Sequence, residues 1–244
     1  MHGQAIFAAF ALLASLIGGE IRASAAPKRA DTPPPKVLNI VRQTLKRGAA
    51  ANYAAVEASI ARGYRRARIP LYWICLQATS NPSAILYLNV YDVDRDAGRA
   101  EETYRNMVPR HRDLMRLHDR LKTYTAGPPV SMLTTRREEF AFRPRTVDFA
   151  TMGALRVTVF HVKAGHEGDF LEAARTGRAV SWTIYEDSAT STFFLLTPLR
   201  TAAERDSGIP RALRGLRGVY TAERPVTYTA RPAMSHAPPG YLKR

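Results

Sequence analysis

The order of the predicted elements occurs twice along this chain, and this repeat limits the possible folds more than any other pattern in the sequence. Each copy reads strand, helix, two strands that suit a hairpin, helix and strand. The two copies are predicted over 37–45, 53–64, 71–78, 84–90, 92–121 and 130–142, and then over 155–162, 166–175, 181–186, 192–197, 202–216 and 219–229. A repeat of this length indicates a duplicated domain rather than a solenoid of short units.

Local patterns support these elements. Tyr53, Val56, Ile60 and Tyr64 recur at steps of three and four, as residues on one face of an amphipathic helix do. Pro109 is predicted to start or kink a second piece of the next helix, because proline is tolerated in a first helical turn but not inside a helix.

Individual residues also correspond between the copies. The turn Lys46-Arg47-Gly48 recurs as Lys163-Ala164-Gly165, and at the same offset the pair at 52–53 recurs at 169–170. Trp73 in the first predicted hairpin corresponds to Trp182 in the second. We therefore expect each copy to open with the same strand, Lys-x-Gly turn and helix.

A β-α-β-β-α-β unit is ferredoxin-like, and two such units in one chain resemble the dimeric α+β barrel superfamily. That superfamily includes the antibiotic-biosynthesis monooxygenase-like and NIPSNAP-like domains, and the resemblance covers about residues 37–229. It implies an α+β fold in which two tandem ferredoxin-like halves form one barrel, the second half replacing a partner subunit. No catalytic residue is carried over, because the Asn, Trp and His spacings of the superfamily's enzymes are not reproduced here.

The N-terminus has the pattern of a secretory signal. An apolar run over 5–17, followed by small residues at 23–26, predicts a signal peptide over 1–26. The run is shorter than the roughly 20 residues that a membrane-spanning helix needs, and no later segment approaches that length. We therefore expect an exported protein, periplasmic or extracellular, with no transmembrane segment.

The rest of the chain divides into four parts. We expect a Pro-rich extended linker at 27–36, a first half at 37–150, a second half at 151–230 and a flexible tail at 231–244. Neither half is expected to be stable alone, because each sheet has a face that only the other can cover. Monomer and homodimer both remain open.

The chain is strongly basic, with 36 Lys and Arg against 21 Asp and Glu and a net charge of +15. The arginines are spread over the whole chain rather than gathered in one stripe, so we expect no nucleic-acid partner. The single cysteine, Cys75, lies within an apolar predicted strand, which predicts a buried and unreactive thiol.

Common catalytic motifs are absent from the sequence. It contains no Gly-rich dinucleotide or phosphate loop, no zinc-protease helix and no nucleophile elbow in the ordered part. One Cys and six His also argue against a structural zinc site. We therefore expect neither a cofactor nor a metal ion.

Five residues are candidates for ligand binding. His161 and Arg42 lie near equivalent points of the first strand of each half, where a polar pair borders either an internal cavity or a solvated strand end. His118 lies on an apolar helix stripe, where it either packs in the core or lines a pocket beneath the helix. Trp73 and Trp182 are expected to anchor the core or to stack on a ligand.

Three functions remain open at this point. The first is an exported barrel that binds a small, mostly apolar molecule between sheet and helices. The second is an enzyme, either a cofactor-independent monooxygenase or a haem-handling protein, with His161 or His118 as proton carrier or iron ligand. The third is a basic envelope protein that binds anionic polymer or lipid headgroups.

Overall fold

Nine strands and five helices make up the part of the chain that the structure describes. The structure is a computed structural model, and it describes residues 34–91, 94–140, 149, 151–175, 182–204, 211–216, 218–239 and 241–242. The strands are β1 (Val37–Thr44), β2 (Trp73–Ala78), β3 (Ala84–Tyr91), β4 (Val130–Arg136), β5 (Ala154–Val162), β6 (Thr183–Asp187), β7 (Thr192–Leu199), β8 (Tyr220–Ala222) and β9 (Val226–Ala230). The helices are α1 (Ala50–Ala67), α2 (Asp94–Met107), α3 (Arg112–Lys122), α4 (Glu167–Arg175) and α5 (Arg211–Gly215). The predicted signal peptide lies outside the described residues.

Eight of these strands close into an antiparallel barrel. The order around it is β7, β6, β4, β1, β3, β2, β9 and β5, and β5 pairs again with β7. The short strand β8 pairs with the far end of β5, where Phe160 lies opposite Ala222. Closure leaves none of the eight strands as a free sheet edge. The α+β fold expected from the sequence is confirmed.

Two seams of the barrel join residues before 150 to residues after it. At one seam β4 pairs with β6, with Thr135 opposite Glu186. At the other β2 pairs with β9, with Gln77 opposite Thr229. Residues 34–140 thus supply an open sheet in the order β4, β1, β3, β2, and the barrel closes only when the later strands pair with both of its edges.

Apolar side chains from both sides of the seams fill the barrel. Alternation along β1 turns Leu38 and Ile40 inward, and both are fully buried. Val157 and Val159 of β5 belong to the same cluster. The other members include Ile74, Leu76, Leu86, Leu88, Leu155, Tyr185, Phe194, Leu196 and Tyr228. The centre of the barrel is therefore a packed core.

The helices cover the outside of the barrel. The buried face of α1 carries Tyr53, Val56, Ile60 and Tyr64, as the periodicity predicts. Pro109 lies in a 3₁₀ turn over 108–110 that separates α2 from α3, which confirms the predicted break. No helix among the described residues is both long enough and apolar enough to cross a membrane.

The two Lys-x-Gly turns have the same geometry. The Ala49 N–H donates to the Lys46 carbonyl at 3.1 Å, and the His166 N–H donates to the Lys163 carbonyl at 3.0 Å. Both glycines have a positive φ, +76° at residue 48 and +85° at residue 165. This left-handed conformation strains residues with a Cβ, which explains why glycine occupies both positions.

Three predicted elements differ from the expectation. β4 ends at Arg136 and a 3₁₀ turn follows at 138–140. Of the helix predicted over 202–216, residues 202–204 are not helical, α5 covers Arg211–Gly215, and residues 205–210 lie outside the described residues. The strand predicted over 219–229 is split into β8 and β9, and Pro225, which has no N–H to donate to a partner strand, lies in the break.

Both ends of the ordered part pack more tightly than expected. At the end of the predicted linker Pro34 and Pro35 are buried, and the Tyr185 hydroxyl donates to the Pro35 carbonyl at 2.6 Å. The predicted tail begins at Arg231, and residues 231–239 are described by the structure. This segment continues along the edge of β2 beyond β9, where Ser235 Oγ accepts the Cys75 N–H at 2.9 Å. Backbone groups of β2 that would otherwise be buried without partners are thereby satisfied.

Gly153, the residue before β5, lies directly against the main chain of Arg200. A Cβ there would lie 2.1 Å from the carbonyl oxygen of Arg200, so Gly153→Ala forces backbone atoms apart. We expect the free energy of unfolding to fall by about 3 kcal/mol. Gly168→Ala in α4 is the matched control, because a Cβ there meets nothing within 4 Å, and we expect it to raise stability by up to about 1 kcal/mol. Urea unfolding measures both, and equal effects at the two glycines would contradict the close approach.

Candidate ligand-binding cavity

A cavity of about 110 Å³ lies between the outer face of the sheet β4, β1, β3, β2 and the helices α1 to α3. A single buried water needs only about 10 to 15 Å³ of such space, so the cavity is large enough for a small organic molecule. The sheet lines it with Asn39, Val41, Gln43, Trp73, Tyr87, Asn89, Tyr91 and Ser131. The helices and loops line it with Tyr53, Glu57, Ile60, Tyr64, Leu71, Tyr72, Ala100, His118, Leu121, Thr125 and Pro129.

Strand alternation explains why polar side chains face the helices here. On β1 the residues Asn39, Val41 and Gln43 point outward, opposite to the inward Leu38 and Ile40. The side-chain amides of Asn39 and Gln43 already have hydrogen-bond partners within the protein. Gln43 Nε2 donates to the Gly127 carbonyl at 3.1 Å, and Ser131 Oγ donates to Asn39 Oδ1 at 2.6 Å.

Glu57 is a buried carboxyl group in the wall of the cavity, with 4% of its surface exposed. Burial raises its pKa to about 8, and hydrogen bonding from Tyr87 and Trp73 lowers the pKa only in part. The Trp73 indole N–H donates to the Met234 carbonyl, at 2.9 Å. At neutral pH Glu57 is therefore mainly a protonated carboxylic acid.

Neutral hydroxyl and thiol groups surround this carboxyl. The hydroxyls of Tyr53 and Tyr87 are hydrogen-bonded to each other. Burial raises the pKa of both tyrosines and of the Cys75 thiol. Cys75 is fully buried and forms no disulfide, which confirms that the thiol is buried as predicted.

His118 of α3 lies on the helix side of the cavity and is buried. Its Nε2 and the Tyr64 hydroxyl are hydrogen-bonded at 3.2 Å. Burial, with a smaller effect of the nearby Lys122, lowers the pKa of His118 to about 4, so the imidazole is neutral at physiological pH. Tyr64 also packs edge-on against Trp73, with ring centroids 5.0 Å apart. The three side chains form one continuous part of the cavity wall.

The layer between the other part of the sheet and α4 is lined by apolar rings. Phe170 of α4 packs against Phe160 and Phe193, with ring centroids 5.1 and 4.9 Å apart. Trp182, Ile184, Leu195 and Ala174 belong to the same buried cluster. Polar side chains thus face the helices around the cavity, whereas this second layer is built as a hydrophobic core.

Arg42 and His161 meet at one end of the barrel, away from the cavity. Two nitrogens of the Arg42 guanidinium donate to the carboxylate of Glu223, at 3.0 and 2.8 Å. His161 Nε2 lies 3.3 Å from the same carboxylate, and its Nδ1 lies 3.3 Å from Thr192 Oγ1. The side chains of Arg42 and His161 are 42% and 49% exposed, as expected for a solvated strand end.

The five candidate residues are therefore divided among three places. Trp73 and His118 line the cavity, Arg42 and His161 lie together at the barrel end, and Trp182 lies in the second hydrophobic layer. Among the described residues, no group of three His, Cys, Asp or Glu side chains is arranged to hold a metal ion.

Sequence reasoning missed Glu57 and Tyr87, although the sequence contained a signal for Glu57. It lies one turn after Tyr53 on the apolar stripe of α1, where a charged residue is out of place. For Tyr87 no comparable signal exists, since an aromatic residue in a strand is ordinary.

No protein-family model matches this sequence, and no curated protein is significantly similar to it. The fold, however, is similar to solved structures. A "putative monooxygenase" of Fusobacterium nucleatum matches with a TM-score of 0.55 at 8% identity, over 82% of this chain and 94% of that one. A "putative monooxygenase" of Lactobacillus acidophilus matches with a TM-score of 0.52 at 8% identity, over 80% and 93%. An anthrone oxidase-like protein matches with a TM-score of 0.52 at 12% identity, over 86% and 97%. At these identities the similarity establishes a shared fold.

Proposed function

We propose that this protein binds a small, mainly apolar molecule in the cavity between the first sheet and helices α1 to α3. The observation that carries the proposal is a cavity walled by aromatic side chains around one buried carboxyl, Glu57. Ligand sites commonly combine an apolar wall with a few polar groups that fix orientation.

The proposal also includes the duplication predicted from the sequence. Two observations support it, the matching Lys-x-Gly turns and the strand pairing. Residues before 150 give the order β4, β1, β3, β2, and residues after it give β9, β5, β7, β6. Numbered within each half, with β8 and β9 counted together as the one strand predicted over 219–229, both orders read fourth, first, third, second, which is the ferredoxin-like arrangement.

If the halves are copies, the second half shows which side chains suffice for packing at each equivalent position. Phe170 and Ala174 then correspond to Tyr53 and Glu57, since each set lies at the same distance from its Lys-x-Gly turn. Ile184 pairs with Leu195 as Cys75 pairs with Tyr87. The tyrosine hydroxyls and the carboxyl of the first half therefore have apolar counterparts. Polar groups that packing does not need, and that burial penalises, favour a binding role.

A cavity-filling variant tests the binding proposal. Val41 lines the cavity, so we expect Val41→Trp to fill it and to weaken binding of ethylbenzene at least about tenfold, the loss of roughly 1.4 kcal/mol of apolar contact. Val130→Trp is the control, because Val130 is 58% exposed and does not line the cavity. Ligand-detected NMR measures the affinity, and native mass spectrometry of the purified protein identifies any molecule bound during expression. Equal binding by both variants would contradict the proposal.

A second candidate function is a cofactor-independent oxygenase acting on the bound molecule. It is favoured by Glu57, whose pKa of about 8 lies close to working pH, as suits a group that transfers a proton. Two of the proteins with this fold are described as a "putative monooxygenase". Oxidation of the bound molecule in air by the wild type, and its loss in Glu57→Gln, would separate this function from simple binding.

Haem binding and a role at an envelope surface have less support. For haem, His118 Nε2 is already hydrogen-bonded to Tyr64, and His161 lies outside the cavity. Export and binding to an anionic envelope surface remain predictions from the signal-like N-terminus and from the net charge of +15.

A further inference from the structure

The charge of the cavity lining constrains the charge of its ligand. The chain carries 36 Lys and Arg, yet none of the described residues that line the cavity is Lys or Arg. A carboxylate or phosphate buried without a cationic partner is strongly penalised by desolvation. In a protein this basic, a lining without Lys or Arg argues against an anionic ligand.

The nearest charges act on the neighbours of Glu57, Arg231 on the Cys75 thiol and Lys122 and Asp119 on His118. The groups that face Glu57 itself are uncharged. The groups concerned are Tyr53 and Tyr64 from α1, Trp73 and Cys75 from β2, Tyr87 from β3 and His118 from α3. Burial raises the pKa of the tyrosines and the thiol and lowers that of the imidazole, so all of them are neutral. Without a counter-ion, the buried carboxyl keeps its proton and offers an O–H donor.

Several other polar groups of the wall already have hydrogen-bond partners. Asn89 Nδ2 donates to the Asn39 carbonyl at 3.3 Å, and Gln43 Nε2 donates to the main chain of Thr44 and Gly127. The Glu57 carboxyl has the hydroxyl of Tyr87 beside it but no cation, so its O–H can donate to a ligand acceptor.

We infer that the cavity selects an uncharged ligand with an apolar body, which places a carbonyl-type oxygen against the protonated carboxyl of Glu57. This inference rests on the proposed function, because it assigns the ligand class of the same cavity. Glu57 is then the residue that determines specificity, by donating a hydrogen bond to a neutral acceptor and by repelling a carboxylate when it loses its proton.

Four probes of similar size test the inference on the full-length protein: acetophenone, ethylbenzene, benzoate and benzylamine. At pH 6.5 we expect acetophenone to bind about tenfold more tightly than ethylbenzene or benzoate, the value of one hydrogen bond to a carboxyl group. Between pH 7 and pH 9.5 acetophenone affinity is expected to fall about tenfold, as Glu57 loses its proton. Titration calorimetry or ligand-detected NMR measures each affinity.

Two variants separate the role of Glu57 from a general effect on the fold. Glu57→Gln keeps an uncharged donor, so it should retain acetophenone binding within about threefold at pH 6.5 and lose the pH dependence. Glu172→Gln is the control, since the Glu172 side chain is 65% exposed on α4, and it should behave like the wild type.

The possible results distinguish failure of this inference from failure of the proposed function. Ethylbenzene and acetophenone binding equally at every pH would overturn the inference and leave the proposed function intact. Benzylamine binding most tightly, with an affinity that rises as Glu57 ionises, would overturn it in favour of an organic cation. Absence of binding by all four probes would contradict the proposed function itself.

Discussion

Residues 34–150 and 151–244, produced as separate chains, are not expected to fold as monomers. The barrel closes through the β4–β6 and β2–β9 seams, and each seam takes one strand from each segment. Separation would leave four sheet edges open and expose the inner face of both sheets to water.

The stabilisation that the shared barrel core provides is too large for a separate segment to fold without it. Leu38, Ile40 and Leu88 are completely buried in the barrel, and exposing side chains of this kind costs about 1.5 to 3 kcal/mol each. Three of them therefore amount to about 5 to 9 kcal/mol, which is comparable with the whole stability of a typical domain. The outer hydrophobic layers under the helices would remain, but they do not compensate for this loss.

Circular dichroism, urea unfolding and sedimentation of each segment, alone and mixed in equal amounts, check this expectation. Alone, each segment should lack a cooperative transition or should self-associate. Mixed, the two should restore the transition of the intact chain. If either segment alone were a monomer that unfolds cooperatively, the claim that the barrel core needs both segments would be contradicted.

The free energy of unfolding is expected to fall by about 2 kcal/mol between pH 6.5 and pH 8 because of Glu57. Its pKa is about 8 in the folded protein and 4.5 ordinarily. Between those values the unfolded chain has released this proton and the folded chain has not. Unfolding therefore becomes easier as the pH rises through this interval, and the effect is complete above pH 8.

His118 acts in the opposite direction over a different interval. Its pKa is about 4 when folded and 6.5 ordinarily, so the unfolded chain binds a proton that the folded chain does not. Stability then rises from pH 4 to pH 6.5. Burial also lowers the pKa of His236. Its effect on stability has the same sign as that of His118, and it does not extend to higher pH. Between pH 4.5 and pH 6.5 Glu57 and His118 largely cancel, and above pH 6.5 only Glu57 remains.

Urea unfolding at a series of pH values measures this directly. Glu57→Gln should remove the decline between pH 6.5 and pH 8, and His118→Gln should make the decline begin near pH 4.5. The exposed Glu172→Gln should follow the wild type. A Glu57→Gln curve parallel to the wild type over this range would mean that Glu57 is not a buried acid with a raised pKa.

Part of the cavity could be predicted from the sequence. The stripe of α1 placed Tyr53 and Tyr64 beneath a helix, and His118 was recognised on the stripe of α3. Glu57 was detectable as a charge within that stripe. Its meeting with Tyr87 was not, because pairing between distant segments brings α1 and β3 together, and helix periodicity carries no information about such pairing.

Local chemistry alone accounts for several features of the fold, and these could be predicted from the order of residues. They are the element order, the glycine turns at 48 and 165, the break at Pro109 and the inward alternation of β1. Each follows from backbone sterics or from the period of apolar residues, which act over a few neighbouring positions.

Long-range packing sets the remaining features. The packing of the 231–239 segment along β2, the Arg42–Glu223–His161 cluster and the uncharged surroundings of Glu57 all join residues far apart in the chain. Burial and hydrogen-bond partners are set by the closed barrel as a whole, and the same side chains would be solvated and free of these constraints in an open chain.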